Sequence, residues 1–94
     1  MVKIVSPIFD DKDKDQLSQK GIAWLTIESD SKHYDVTFYG LDRLPYEIQL
    51  EGGFIYKPNM IIIEELSFEL IERYLIEMEE SGQFEFLNEN ISSE

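Results

Sequence analysis

The sequence predicts an α+β fold of two layers, an antiparallel or mixed sheet of about four strands with two helices packed on it. Three observations carry this expectation. β-Branched and aromatic residues alternate in two runs between Ile22 and Tyr39, broken by one polar turn. Ile61–Ile63 form a third β-type run. Residues 68–81 then repeat apolar side chains at helical spacing between Ser67, a capping residue, and Gly82, a helix stop. In 94 residues, 43% hydrophobic, there is material for one core and no room for a second. Residues 1–88 are therefore read as a single domain, and 89–94, polar and aperiodic, as a frayed tail.

In chain order, "VKIVSPIF" (2–9) reads as a short edge strand, because Pro7 cannot donate to a ladder. "DDKDKDQLSQK" (10–20) reads as a polar loop. Asp11, Asp13 and Asp15 match the first carboxylate positions of a calcium loop, but Gln16 stands where the glycine belongs and Ile22 where the closing glutamate belongs. "GIAWLTIES" reads as a strand buried on much of both faces, joined through the turn "SDSK" to the strand "HYDVTFYG" as a hairpin. "LDRLPYEIQLEGG" fits two structures. Tyr46, Ile48 and Leu50 alternate as in a strand, whereas Asp42 as cap, Pro45 in the first turn and the Gly52-Gly53 stop favour a helix over 42–51. Ile61–Ile63 are expected as a central strand, "QFEFL" (83–87) as a last short strand, and Trp24, Phe38, Ile61, Ile63, Ile71, Leu75 and Met78 as core.

Cysteine is absent, which excludes disulfides, thiolate zinc sites and a cysteine nucleophile and is compatible with a reducing cytoplasm. "MVKIVSPIFDD" has no signal-peptide pattern, and the longest apolar run, Met60–Ile63, is too short to span a bilayer, so a cytoplasmic protein without membrane contact is expected. The net charge is −12, and residues 62–94 hold most of it, with ten glutamates against Arg73 alone. Such a field repels nucleic acid and anionic membrane and attracts basic proteins.

Catalytic chemistry has little to build on. His33, the only histidine, sits at the start of a hairpin strand beside Ser31 and Lys32 rather than on a nucleophile elbow. Gly52-Gly53 lacks the remainder of any phosphate-binding loop. The adjacent pairs Glu64-Glu65 and Glu79-Glu80 point apart on strands and helices, unlike the convergent carboxylates of acid–base sites. No catalytic, cofactor or metal site is expected, and the chain is not read as an enzyme.

The acidic helix is the feature that points toward function. Advancing about 100° per residue puts Phe68, Leu70, Ile71, Tyr74, Leu75 and Met78 on one side. Glu69, Glu72, Arg73, Glu77, Glu79 and Glu80 fall on the other, with Ile76 among them. Arg73 can pair with Glu69 or Glu77, for about 0.2–0.5 kcal/mol each. Glu77, Glu79 and Glu80 crowd the C-terminal turn, where the helix dipole opposes each by about 0.3–1 kcal/mol. Local stability therefore does not explain their placement. Ile76 is either covered by Phe84 or Phe86 or left exposed; exposed, it has the form of an anchor with an acidic rim. Glu69, Glu72, Ile76, Glu77 and Glu80 are the candidate partner-binding residues.

The stretch from "DVTFYGLDRL" through "KPNMIIIEELSFELIERYLIEM", about half the chain, resembles a strand–helix–strand–helix unit of small bacterial proteins. In size and acidity it is similar to immunity proteins of polymorphic and contact-dependent toxin systems. The resemblance implies an immunity protein or antitoxin that neutralises a basic toxin such as a nuclease. Two alternatives use the same surface or the same fold: a phage-encoded nucleic-acid mimic that inhibits a host defence enzyme, and a structural or assembly subunit. Self-association stays open at this point.

Overall fold

The computed structural model describes residues 1–90. The chain runs β1 (Lys3–Ser6), α1 (Asp11–Lys20), β2 (Ile22–Ser29), β3 (Lys32–Gly40), a 3-10 turn (Leu41–Arg43), α2 (Leu44–Leu50), β4 (Met60–Ile63), α3 (Phe68–Glu80) and a second 3-10 turn (Gln83–Phe86). The four strands make one mixed sheet in the order β1-β2-β3-β4. β1–β2 and β2–β3 are antiparallel, and β3–β4 is parallel. The α+β fold is the one the sequence predicts, with three helices instead of two. No helix among the described residues is long and apolar enough to cross a membrane.

The hairpin sets the register. Asp30 and Ser31 both take positive φ, 52° and 65°, which twists a two-residue turn to match the strands it joins. Ala23, Leu25 and Ile27 then face one side of the sheet together with Tyr34, Val36 and Phe38. Ile71 and Leu75 of α3, Leu17 of α1, and Ile63, Leu66 and Phe84 close over them as one core. Ile61 and Met78 are partly buried against it.

Trp24 is not part of that core. It lies across from Thr37 on the opposite face and is 64% exposed, so β2 is buried on one face and not on both. The register explains this: a set of alternate side chains takes one face, and Ala23, Leu25 and Ile27 hold the inner one. At the other end of the outer face Tyr39 is fully buried, close enough to α2 for its charges to act. Burial first, and then the negative charges of Glu51 and Glu47, push its phenol above the ordinary tyrosine value. Its hydroxyl meets no protein partner among the described residues.

Residues 11–20 form α1 and not the expected loop. The Asp10 carboxylate accepts the Asp13 N–H at 2.8 Å, Asp11 and Asp13 lie at the favourable N-terminal end, and Lys20 lies at the C-terminal end. Gly21 closes the helix in the left-handed region, donating its N–H to the Leu17 carbonyl at 3.2 Å. A Cβ there would also stand 2.7 Å from the Arg43 Cβ, so the position requires glycine twice over. Only Leu17 of this helix is buried, leaving no apolar stripe for periodicity to find. The Lys14 ammonium over the Phe68 ring, at 4.4 Å, and the edge-on Phe9–Phe68 pair, at 5.3 Å, tie this segment to the start of α3. A continuous helix also turns Asp13 to the side opposite Asp11 and Asp15, unlike the converging carboxylates of a calcium loop.

Two further elements differ from expectation. β4 is an edge strand rather than a central one, because it pairs with β3 alone. Residues 83–86 form a 3-10 turn and not a strand, with Phe84 turned in against Tyr34 at 5.6 Å between ring centroids. The chain then crosses to β3. Asn59 donates to the Asn88 and Asp35 carbonyls and accepts the Asn88 N–H at 2.7 Å, and Asn90 donates its backbone N–H to the His33 carbonyl at 2.7 Å. Of the tail read as frayed, 91–94 lie outside the described residues.

Candidate functional site

α3 is held so that its acidic side has no choice but to face outward. The Ser67 hydroxyl accepts the Leu70 N–H at 3.1 Å, and Gly82, at φ 76°, turns the chain away after the last residue. Ile71 and Leu75 are buried, and Phe68, Leu70, Tyr74 and Met78 pack against the same core. That fixes the rotation of the helix. Glu69, Glu72, Ile76, Glu77 and Glu80 are all exposed, on the side away from the core.

Ile76 is 43% exposed. Neither aromatic that could have covered it does so fully: Phe84 is buried beneath Tyr34, and Phe86 is itself 78% exposed. The Arg73 Nε lies 3.5 Å from a Glu77 carboxylate oxygen, with both side chains more than half exposed, so the pair adds at most a few tenths of a kcal/mol. No ion pair is made by Glu69, Glu72 or Glu80 among the described residues. The surface is thus an apolar side chain set among carboxylates with Arg73 as its one side-chain cation, and the Met1 ammonium lies 3.4 Å from Glu79 at its margin.

Glu79 separates from its neighbours. It is half-buried, and the Ser29 hydroxyl donates to its carboxylate at 2.6 Å. That hydrogen bond, reinforced by the Val2 N–H, holds the Glu79 carboxyl below the ordinary glutamate value despite the opposing effect of burial. It joins the last turn of α3 to the end of β2. Here a carboxylate opposed by the helix dipole has a structural partner, whereas Glu77 and Glu80 next to it have none of comparable strength.

Next to the acidic side, β4 and α3 enclose an open groove of about 1080 Å³, whose walls include Tyr74, Glu77 and Met78 and, from the second 3-10 turn onward, Phe86 and Leu87. The Tyr74 hydroxyl donates to Glu64 at 3.0 Å across one end of it. That bond, together with burial and the Glu64 charge, raises the phenol above its ordinary value. Glu77 therefore belongs to two surfaces, the outer side of α3 and the groove wall. Sequence reasoning missed the groove, and it missed the exposed aromatics Trp24, Tyr46, Phe54 and Tyr56. The segment after Gly52 carried the only advance sign of these, two aromatics within a stretch lacking periodicity.

His33 lies on the outer face of the hairpin with its Nε2 4.0 Å from Glu28, half-exposed. Among the described residues no three His, Asp or Glu side chains gather closely enough to hold a metal ion. No protein-family model, curated protein or solved structure matches the chain. Function is therefore argued from the surface itself.

Proposed function

We propose that this chain is an acidic, non-enzymatic binding protein, an immunity protein or antitoxin of a bacterial toxin system that neutralises a basic toxin such as a nuclease in the cytoplasm. The observation that carries the reading is Ile76, exposed in the midst of Glu69, Glu72, Glu77 and Glu80 on a helix side that contributes nothing to the core. An apolar anchor needs exclusion from water to hold a partner, and a rim of one sign selects the partner and speeds its approach. The charge of −12, concentrated in the C-terminal third, extends that attraction beyond contact distance. The same field disfavours direct binding of DNA or RNA.

Capture from a lysate of the native host tests the reading, with immobilised wild-type protein beside the double variant Glu77→Lys, Glu80→Lys. A basic protein retained by the wild type and released by the variant, identified by mass spectrometry, is the expected result. Identical retained proteins on both supports would sink the assignment of this surface.

A further inference from the structure

The two edges of the sheet are finished differently. β1 is four residues long, slips register between Ile4 and Ser6, carries Lys3 and is followed by Pro7, all features that discourage another strand from pairing. β4 is equally short, but Met60–Ile63 holds no lysine or proline and pairs with β3 without a register shift. Because the Thr37 N–H donates to the Asn59 carbonyl, the alternation of a parallel ladder turns the N–H and C=O groups of Met60 and Ile62 away from β3. They face the open side, toward the groove beside α3. The Ile62 side chain, on the face that carries Tyr39, is 44% exposed and lines one margin of the groove.

We propose that this edge receives an extended, cationic segment of the partner, which adds a fifth strand beside β4 and lies in the groove against α3. The inference rests on the basic-partner reading above and names how that partner is gripped. Main-chain hydrogen bonds to Met60 and Ile62 supply the attachment, and side chains of alternate residues supply the selection. Apolar residues of the added strand meet Met78 and Phe86. Lysine or arginine residues come within reach of Glu64 at the strand end and Glu77 on the wall. The one cation lining the groove among the described residues, Lys57, stands 3.9 Å from Glu51, so it does not offset those two carboxylates. The charge also argues against a second copy as occupant, since two chains of −12 would meet at this edge.

The test uses the whole 15N-labelled protein and a short capped peptide of alternating valine and arginine. Two controls accompany it: the same peptide N-methylated along one backbone edge, and a valine–glutamate peptide. Slowed amide exchange at Met60 and Ile62 with the arginine peptide, absent with both controls, is the expected outcome. Glu64→Lys with Glu77→Lys should weaken binding about tenfold. Ile62→Pro, which removes an outward N–H and no bond to β3, should abolish the protection while leaving the thermal melt near wild type. Should that variant misfold, the N-methylated peptide still decides the point. Shifts confined to Glu69, Glu72 and Glu80 without protection at Met60 and Ile62 would overturn the added strand and leave the helix surface as the binding site. No binding at millimolar peptide would also overturn it, with the basic-partner reading judged separately by the capture experiment. Equal binding of the glutamate peptide would refute the charge selection, and concentration-dependent protection without peptide would assign the edge to self-association.

Discussion

The two sides of α3 obey different rules. On the inner side every large residue is buried or packed against the sheet, and the pattern is the one that any helix covering a sheet requires. On the outer side the residues work against the helix that carries them, with carboxylates at the end where the dipole disfavours them and an isoleucine left in water. The inner side is explained by folding alone. The outer side is not, and the proposed role in recognition rests on that difference.

The contrast is broken most directly from the inside. Ile71→Ala removes a fully buried side chain and should cost roughly 2–5 kcal/mol in a urea melt. A variant as stable as wild type would mean that the rotation of α3 is misassigned. Ile76→Ala in the same melt should change stability by no more than about 0.5 kcal/mol, as surface substitutions do.

Ser29→Ala sharpens the boundary between the sides, because Glu79 is the one outer glutamate with a structural bond. Its loss should cost about 1–2 kcal/mol at neutral pH. The folded carboxyl is held below its ordinary value, so its contribution is present above the unfolded glutamate range and is lost as pH falls through the folded value. Stability curves of wild type and Ser29→Ala should therefore converge in acid and separate toward neutrality. Parallel curves would show that the bond does not form.

A change in the stabilising direction is expected from Glu77→Lys with Glu80→Lys. Cations suit the C-terminal turn, so the melt should be unchanged or raised by about 0.3–1 kcal/mol at low salt, and losing the exposed Arg73–Glu77 pair should subtract little. A clear loss of stability would make these glutamates structural and remove the reason for reading them as a binding surface.

Much of this architecture was legible where local pattern decides structure. The hairpin and α3 announce themselves through alternation, helical spacing, the Ser67 cap and a glycine stop. α2 fits a strand pattern as well, and the Asp42 cap expected for it is not made: Leu41–Arg43 form a 3-10 turn, and the helix starts at Leu44 without a side-chain cap. α1 was hidden because its evidence lies in caps and charge order around a single buried leucine, and not in an apolar stripe. Trp24 was misread because both registers of β2 are rich in apolar residues, and a one-residue slip exchanges the faces. The edge position of β4 depends on long-range pairing, which no local run encodes. The acidic surface was readable from the helix alone. Its one exception, Glu79, was not, since Ser29 stands 50 residues away in the chain. The groove required both β4 and α3 in space.

The central claim, that the outer side of α3 engages a basic partner, is tested by association kinetics over a salt series with the captured protein. The wild type should associate fast at low salt and more slowly as ions screen the approach. Glu77→Lys with Glu80→Lys should slow association and flatten its salt dependence, while Ile76→Ala should leave the on-rate near wild type and raise the off-rate. On- and off-rates equal to wild type in both variants would contradict the claim and reduce this acidic side to a solvated surface.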